Sequence, residues 1–184
     1  EEHFGLAKAD HPEANLPLRV VHGISGAKDW FGGRVTAEHA NGIIAVDQER
    51  KRVIIAFRGT QFGSERINNF NPGITTIEEF KQHGFEGKVH AVYANLYKSF
   101  SDRLTTELNK VRELHEVGYG WEVLVTGHSL GGAVASIIAP ILAYDLLGTG
   151  IRVHLATFGA PRVGYADFKE WAEKFLSSAV SFER

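Results

Sequence analysis

The chain has 184 residues, 43% hydrophobic and 23% charged, which is an ordinary composition for one globular domain with a sizeable core. Its 20 basic and 22 acidic residues give a net charge of −2, so it lacks the basic excess that binds nucleic acid or an anionic membrane surface. The absence of cysteine excludes disulfides, cysteine-ligated metal sites and a thiol nucleophile. Without a run of about 18 apolar residues, no transmembrane helix is predicted.

The amino-terminal third of the sequence predicts an irregular segment followed by two strands. About 30 residues containing Pro12, Pro17, Gly23 and Gly26 predict an irregular or loosely helical segment. The β-rich runs 42–47 and 52–57 follow, and the charged turn between them predicts a hairpin or a pair of adjacent strands. The second run is almost wholly apolar, as in a strand covered on both faces.

The remaining two thirds alternate between strands and helices after a long glycine-punctuated stretch. Residues 59–88 form that stretch, and a loop of this length in a compact domain is usually functional. Strands are predicted at 121–126, 151–158 and 179–182, and helices at 89–117, 130–147 and 167–175. Pro140 falls inside the second of these helices and is expected to kink it. Alternation of this kind predicts a mainly parallel α/β sheet, and we expect one domain over residues 1–184.

The segment 127–131 carries the chemistry, because its sequence is Gly-His-Ser-Leu-Gly between an apolar strand and a helix. This is the context of a nucleophile elbow, a tight strand-to-helix turn that lifts a serine hydroxyl above the carboxyl end of the sheet. Ser129 is therefore predicted as a catalytic nucleophile and the N–H of Leu130 as one donor to the oxyanion. Side chains at Gly127 and Gly131 are expected to collide with the turn.

A second oxyanion donor is predicted after the apolar strand 52–57, where the sequence continues Arg-Gly-Thr. Thr60 offers both a backbone N–H and a hydroxyl at this position, and in the α/β-hydrolase fold the loop after a neighbouring strand supplies this donor. The alternative is a plain turn in which Gly59 only reverses the chain.

Four segments, 43–60, 89–97, 123–135 and 157–164, together resemble the class 3 lipases, which include fungal triacylglycerol lipases and feruloyl esterases. The resemblance implies an α/β-hydrolase fold with helices on both faces of a mainly parallel sheet. It also implies that Thr60 is the second oxyanion donor and that about residues 62–76 form a mobile lid. The apolar residues of the somewhat longer segment 62–80 favour a lipid substrate: Phe62, Ile67, Phe70, Ile74 and Ile77.

A base and an acid for the serine are not evident in this chain. The resemblance places both after the last predicted strand, in the order acid then histidine, so the fold is expected to be incomplete at its carboxyl-terminal end. After Ser129 the only histidine is His154, inside a predicted strand, and Asp145 and Asp167 lie on helices. His128 is next to the nucleophile but is expected to have a structural role. We therefore expect the 184-residue chain alone to be inactive or weakly active.

Three explanations for the incomplete triad stay open: a fragment, one piece completed by a separate carboxyl-terminal polypeptide, or a module without turnover. The predicted function is hydrolysis of acylglycerol esters through a serine acyl-enzyme, with a lipid or other ester substrate at an interface. The alternatives are a feruloyl or short-chain esterase and a non-catalytic interaction module. No cofactor or metal is expected, and the sequence favours secretion over the cytoplasm only slightly.

Overall fold

The computed structural model describes residues 19–25, 41–59, 73–76 and 78–182. These residues form eight strands and four helices. The strands are β1 (Arg19–Ser25), β2 (Asn41–Asp47), β3 (Arg52–Phe57), β4 (Ile74–Thr75), β5 (Val89–His90), β6 (Glu122–His128), β7 (Arg152–Phe158) and β8 (Ser178–Phe182). The helices are α1 (Glu78–Gln82), α2 (Ala91–Leu114), α3 (Leu130–Asp145) and α4 (Ala166–Glu173).

Six of the described strands form one sheet in the order β1-β2-β3-β6-β7-β8. The pairs from β1 to β3 are antiparallel, and those from β3 through β6 and β7 to β8 are parallel. The predicted hairpin of β2 and β3 and the mainly parallel alternation that follows are thereby confirmed. The prediction that about the first 30 residues are irregular or loosely helical is wrong for residues 19–25, which form the edge strand β1.

One face of the parallel strands is packed against α3, and the register explains why. Val53, Val123 and Val153 are neighbours across β3, β6 and β7, and all three are buried. Because side chains alternate between the two faces of a strand, every second residue of these strands contributes to this surface. Helix α3 contacts all three strands and also α2. It runs through Pro140 without a break, and most of its side chains are buried.

The described part of the glycine-punctuated stretch contains short elements and packs through aromatic side chains. Strand β4 pairs with β5, and the ring of Phe80 is fully buried. The Trp171 ring of α4 stacks on Phe80 at 5.9 Å, and its indole N–H donates to the carbonyl of His83 at 2.8 Å. The segment 78–90 is therefore anchored to α4. Of the predicted lid, residues 62–72 lie outside the described residues, and Ile74 is a half-exposed residue of β4.

Candidate active site

The carboxyl ends of β3, β6 and β7 meet at one edge of the sheet, and Ser129 lies at this edge. Phe57 pairs with Gly127, and His128 pairs with Phe158, so the three strands end side by side. Ser129 directly follows β6, the central strand of the three, and directly precedes α3. In open α/β sheets the crevice at this edge is the usual ligand site.

Ser129 has a backbone conformation that side chains rarely adopt, with φ 54° and ψ −123°. Such a conformation costs roughly 1–3 kcal/mol and persists only where the surroundings enforce it. Here the Ser129 N–H donates to the carbonyl of Phe158 at 2.9 Å, and the Ser129 carbonyl accepts from the N–H of Ala133 at 3.1 Å. The first bond fixes the residue to β7 and the second to the first turn of α3.

The Ser129 hydroxyl makes no capping bond to α3, although it occupies the N-cap position. A serine at an N-cap ordinarily accepts a hydrogen bond from one of the first backbone N–H groups of its helix. In this turn the hydroxyl is left out of the helix cap. Ser129 therefore occupies a capping position with a strained backbone and with a hydroxyl that does not cap the helix.

Gly127 and Gly131 are required by close backbone contacts, within the turn for Gly127 and with the neighbouring strand for Gly131. A side chain at Gly127 would collide with the backbone of Gly131 and Gly132 in the first turn of α3. A side chain at Gly131 would collide with the backbone of Phe57 and Arg58 at the end of β3. The nearest atoms in both cases belong to the helix and to the neighbouring strand, and not to Ser129. The glycines let α3 begin directly against β3 and β6.

Gly132 contributes a similar close contact on the other side, which the sequence did not reveal. A Cβ atom there would lie 2.7 Å from the Cβ of Ala160, in the loop after β7. Small residues at 131 and 132 therefore seat the helix between the loops that follow β3 and β7. The sequence signal is the pair of glycines in succession at the start of a helix, where glycine is otherwise unfavourable.

The N-terminus of α3 presents backbone donors beside Ser129. Within the described part of the chain, no acceptor is bonded to the N–H of Leu130. The first N–H groups of a helix lack intrahelical partners, and the helix dipole adds a partial positive charge there. An anion that formed at the Ser129 hydroxyl would be stabilised by this end of α3.

The loop after β3 approaches the same point from the other side. A Cβ atom at Gly59 would lie 2.8 Å from the carbonyl oxygen of His128 and 3.5 Å from the Cβ of Ser129. The backbone of Gly59 therefore touches the elbow itself. Thr60, the next residue, lies outside the described residues.

His154 lies away from this edge. It pairs with Leu124 in the middle of the sheet, five residues before Ser129, which corresponds to roughly 16 Å along a strand. Its Nδ1 is 2.8 Å from the Ser178 hydroxyl, and its Nε2 is 3.8 Å from the Glu122 carboxylate. The structure thus separates His154 from Ser129, as the sequence predicted.

The two aspartates that follow Ser129 also lie elsewhere. Asp145 ends α3, a helix of 16 residues and about 24 Å in length, and its carboxylate is 3.0 Å from the Nε2 of His83. Asp167 accepts a hydrogen bond from the N–H of Phe168 at 2.9 Å in the first turn of α4. Neither carboxylate is engaged at the elbow.

His128 is exposed and flanks the elbow on the opposite side of the strand from α3. A Cβ at Gly59 would lie 3.6 Å from its Nδ1, and a Cβ at Gly159 would lie 3.8 Å from its Nε2. The imidazole therefore stands between the loops after β3 and β7. His90, by contrast, precedes α2 and packs edge-on against the ring of Tyr93.

Among the described residues there is no group of three or more metal-ligating side chains. No helix within the same part of the chain has the length and apolarity needed to cross a bilayer.

Comparison with solved structures identifies the fold. The lipase of Rhizomucor miehei has a TM-score of 0.70 at 23% identity, covering 89% of this chain and 56% of that structure. The Yarrowia lipolytica lipase has a TM-score of 0.69 at 23% identity, covering 88% and 52%. The fold is that of the α/β-hydrolases, as predicted.

Sequence comparison identifies the family. The profile described as "Lipase (class 3)" matches residues 54–182, and the chain belongs to this family. Secreted mono- and diacylglycerol lipase 1 of Fusarium solani is 30% identical over 162 residues, covering 88% of this chain and 42% of that protein. Secreted mono- and diacylglycerol lipase A of Penicillium cyclopium is 34% identical over 158 residues, covering 84% and 47%. The chain spans less than half the length of these two relatives.

Proposed function

We propose that the protein hydrolyses carboxylic esters of acylglycerol lipids and that Ser129 is its nucleophile. The observation that carries the proposal is the conformation of Ser129, which combines a strained backbone with a hydroxyl outside the helix cap. Strain of this kind is characteristic of the nucleophile elbow of α/β-hydrolases. Membership of the class 3 lipases supplies the reaction type.

The reaction begins with attack of the Ser129 Oγ on the ester carbonyl carbon, which forms a tetrahedral intermediate. The oxyanion accepts hydrogen bonds from the N–H groups of Leu130 and Thr60, and the dipole of α3 adds to this stabilisation. Expulsion of the alcohol leaves an acyl-serine, which water then hydrolyses to the free acid. A donor of this type typically contributes roughly 10²–10³-fold to kcat.

The proton transfers require a base, which we place outside these 184 residues. The described histidines after the elbow and beside it do not fit the role: His154 lies deep in the sheet, and His128 stands on the far side of the strand from α3. A histidine oriented by a carboxylate, in the same polypeptide or in a second one, would complete the site. Without it an unactivated serine hydroxyl is a poor nucleophile.

The substrate class and the compartment rest on the relatives. Two of them are described as secreted mono- and diacylglycerol lipases, and others as chloroplastic phospholipases A1. These are all hydrolases of glycerolipid esters, so we propose partial acylglycerols as substrates. The two fungal relatives favour a secreted protein.

The test is the hydrolysis of emulsified diacylglycerol by the wild type and by Ser129→Ala, with Ser136→Ala as the matched control. Ser136 lies on the same helix, and its hydroxyl donates only to the carbonyl of Gly132. Activity of Ser129→Ala should fall by roughly 10⁴-fold or more where turnover is measurable. Ser136→Ala should retain it.

The alternatives give different outcomes in the same assay. Preference for feruloyl or short soluble esters over diacylglycerol would identify an esterase. Equal hydrolysis by the wild type and Ser129→Ala would remove Ser129 from the mechanism. No turnover in any form that includes the base and acid would identify a non-catalytic module.

A further inference from the structure

The structure contains a cavity of about 110 Å³ between α2, α3 and the amino ends of β3 and β6. It lies at the edge of the sheet opposite to Ser129, since it reaches the last turn of α3 and that helix begins at the elbow. Its position is therefore separated from the proposed ester site by the length of α3, about 24 Å.

The cavity is lined mainly by aliphatic side chains. The strands contribute Val53 and Val123, α2 contributes Leu108 and Val111, and α3 contributes Leu142. The cavity opens to solvent at its rim, and its aliphatic interior gives water few hydrogen-bonding partners. A comparable engineered cavity of roughly 150 Å³ binds benzene or xenon. A chain of about four or five carbons matches the smaller volume here.

The rim of the cavity is polar and electrically balanced. Asn109 and Arg112 of α2 and Asp145 of α3 border it. The Asn109 amide can both donate and accept a hydrogen bond. The lining therefore includes one basic and one acidic side chain, and the Asp145 carboxylate is itself 3.0 Å from the Nε2 of His83. Because the charges of the rim are of both signs, it favours a neutral hydroxyl over a fatty-acid carboxylate or an amine. An aliphatic interior with this rim suits a ligand that has an alkyl chain and one uncharged hydroxyl group.

We propose that this cavity is a second binding site, distinct from the ester site, for an uncharged short-chain primary alcohol such as 1-pentanol. The alkyl chain occupies the aliphatic interior, where it meets no charged group. The hydroxyl stays at the rim beside Asn109. Binding removes the apolar lining of the cavity from contact with water. A second hydroxyl at the far end of the chain would be buried without a partner, which is costly.

The experiment is a calorimetric titration of the 184-residue chain with 1-pentanol, and with 1,5-pentanediol as the ligand control. Saturable binding of 1-pentanol is expected, and the diol should bind at least about tenfold more weakly. Leu108→Phe, which fills the cavity from α2, should weaken 1-pentanol binding by roughly tenfold or more. Leu114→Phe, at a 70% exposed position of the same helix, should leave it unchanged. No saturable binding, or equal binding by Leu108→Phe, would overturn the proposal.

A second measurement on the wild type keeps the test independent of the folding of the variant. In a methyl NMR titration with 1-pentanol, the signals of Val111, Val123 and Leu142 should shift, and those of Leu130 and Ala133 at the start of α3 should not. Shifts confined to Leu130 and Ala133 would place the alcohol at the ester site and refute the second site.

Discussion

The two ends of the parallel strands are built in opposite ways. At the carboxyl edge, backbones touch: Gly131 lies against Phe57 and Gly59 against the elbow, and Ser129 is strained. At the amino edge, charged side chains join the strands. The Glu122 carboxylate is 2.7 Å from both Arg52 and Arg152, one on each neighbouring strand.

The difference supports our proposal that the carboxyl edge is the site of the chemistry. At the amino edge the Glu122 carboxylate is paired with two arginines, and Arg52, through its hydrogen bonds and its charge, lowers the pKa of Glu122 below its usual range. At the carboxyl edge, among the residues that the structure describes, no acceptor is bonded to the Leu130 N–H, and the neighbouring Ser129 hydroxyl makes no capping bond to α3. A strained residue beside the N-terminus of a helix is typical of a site that stabilises a developing anion.

The largest expected effect concerns the catalytic base, which our proposal places outside these 184 residues. If that proposal is right, the serine of the 184-residue chain is unactivated, and the chain should react with a fluorophosphonate probe roughly 10³-fold more slowly than a class 3 lipase with a complete triad. The rate is measured by gel fluorescence over time. Fast stoichiometric labelling of Ser129 would mean that a histidine of this chain, such as His128, serves as the base.

The second effect concerns the loop after β3. If the Thr60 hydroxyl supports the oxyanion together with its N–H, Thr60→Val should lower kcat by roughly 10²-fold or more in an active preparation, with a smaller change in KM. Steady-state kinetics on a soluble ester measures both constants. A kcat within a factor of about two of the wild type would leave only the backbone donor in the mechanism.

The third effect tests whether close backbone contact at the carboxyl edge sets the site geometry. Gly131→Ala should push α3 away from Phe57 and Arg58, and a displacement of about 1 Å should cost roughly 10²-fold in kcat. The control is Gly118→Ala near the amino edge, where an added Cβ would meet only the Glu116 carbonyl at 3.9 Å. Equal kcat for both variants would show that the contact at Gly131 is not needed for activity.

The smallest expected effect is a change in the free energy of unfolding, caused by Glu122 at the amino edge of the sheet. Because folding lowers the pKa of Glu122, its stabilising contribution is present above the unfolded-state pKa of about 4.3 and is lost as the pH falls through the folded-state value. Glu122→Gln should therefore reduce the free energy of unfolding by about 1 kcal/mol at pH 7 and by less at pH 3. Urea unfolding at the two pH values measures this. Glu113→Gln, at an exposed site on α2, is the control, and a Glu122→Gln loss that stayed the same at both pH values would exclude the carboxylate as the cause.

Local pattern predicted the elements that form from nearby residues. The β2–β3 hairpin, the long helix α2 and the strand-to-helix turn at Ser129 all follow from apolar spacing and from Gly-x-Ser-x-Gly. Strand β1 was missed because Pro17, Gly23 and Gly26 suggested an irregular segment. Its pairing with β2 is a tertiary contact that local propensity does not contain.

The contacts that shape the site were beyond sequence reasoning because they join distant residues. Gly131 lies against Phe57, 74 positions earlier, and Gly132 against Ala160. Likewise the alignment of Arg52, Glu122 and Arg152 depends on the register of three strands. The sequence identified Ser129 and its glycines as a unit, whereas only the fold reveals what those glycines touch.

The most direct test of the central claim is to inactivate a preparation with ester hydrolase activity by a fluorophosphonate and to locate the adduct by peptide mass spectrometry. We predict one adduct per chain, on the peptide that carries Ser129, with activity lost in proportion to its formation. An adduct on another residue that accompanies the loss of activity, or full modification of Ser129 with activity retained, would contradict the claim.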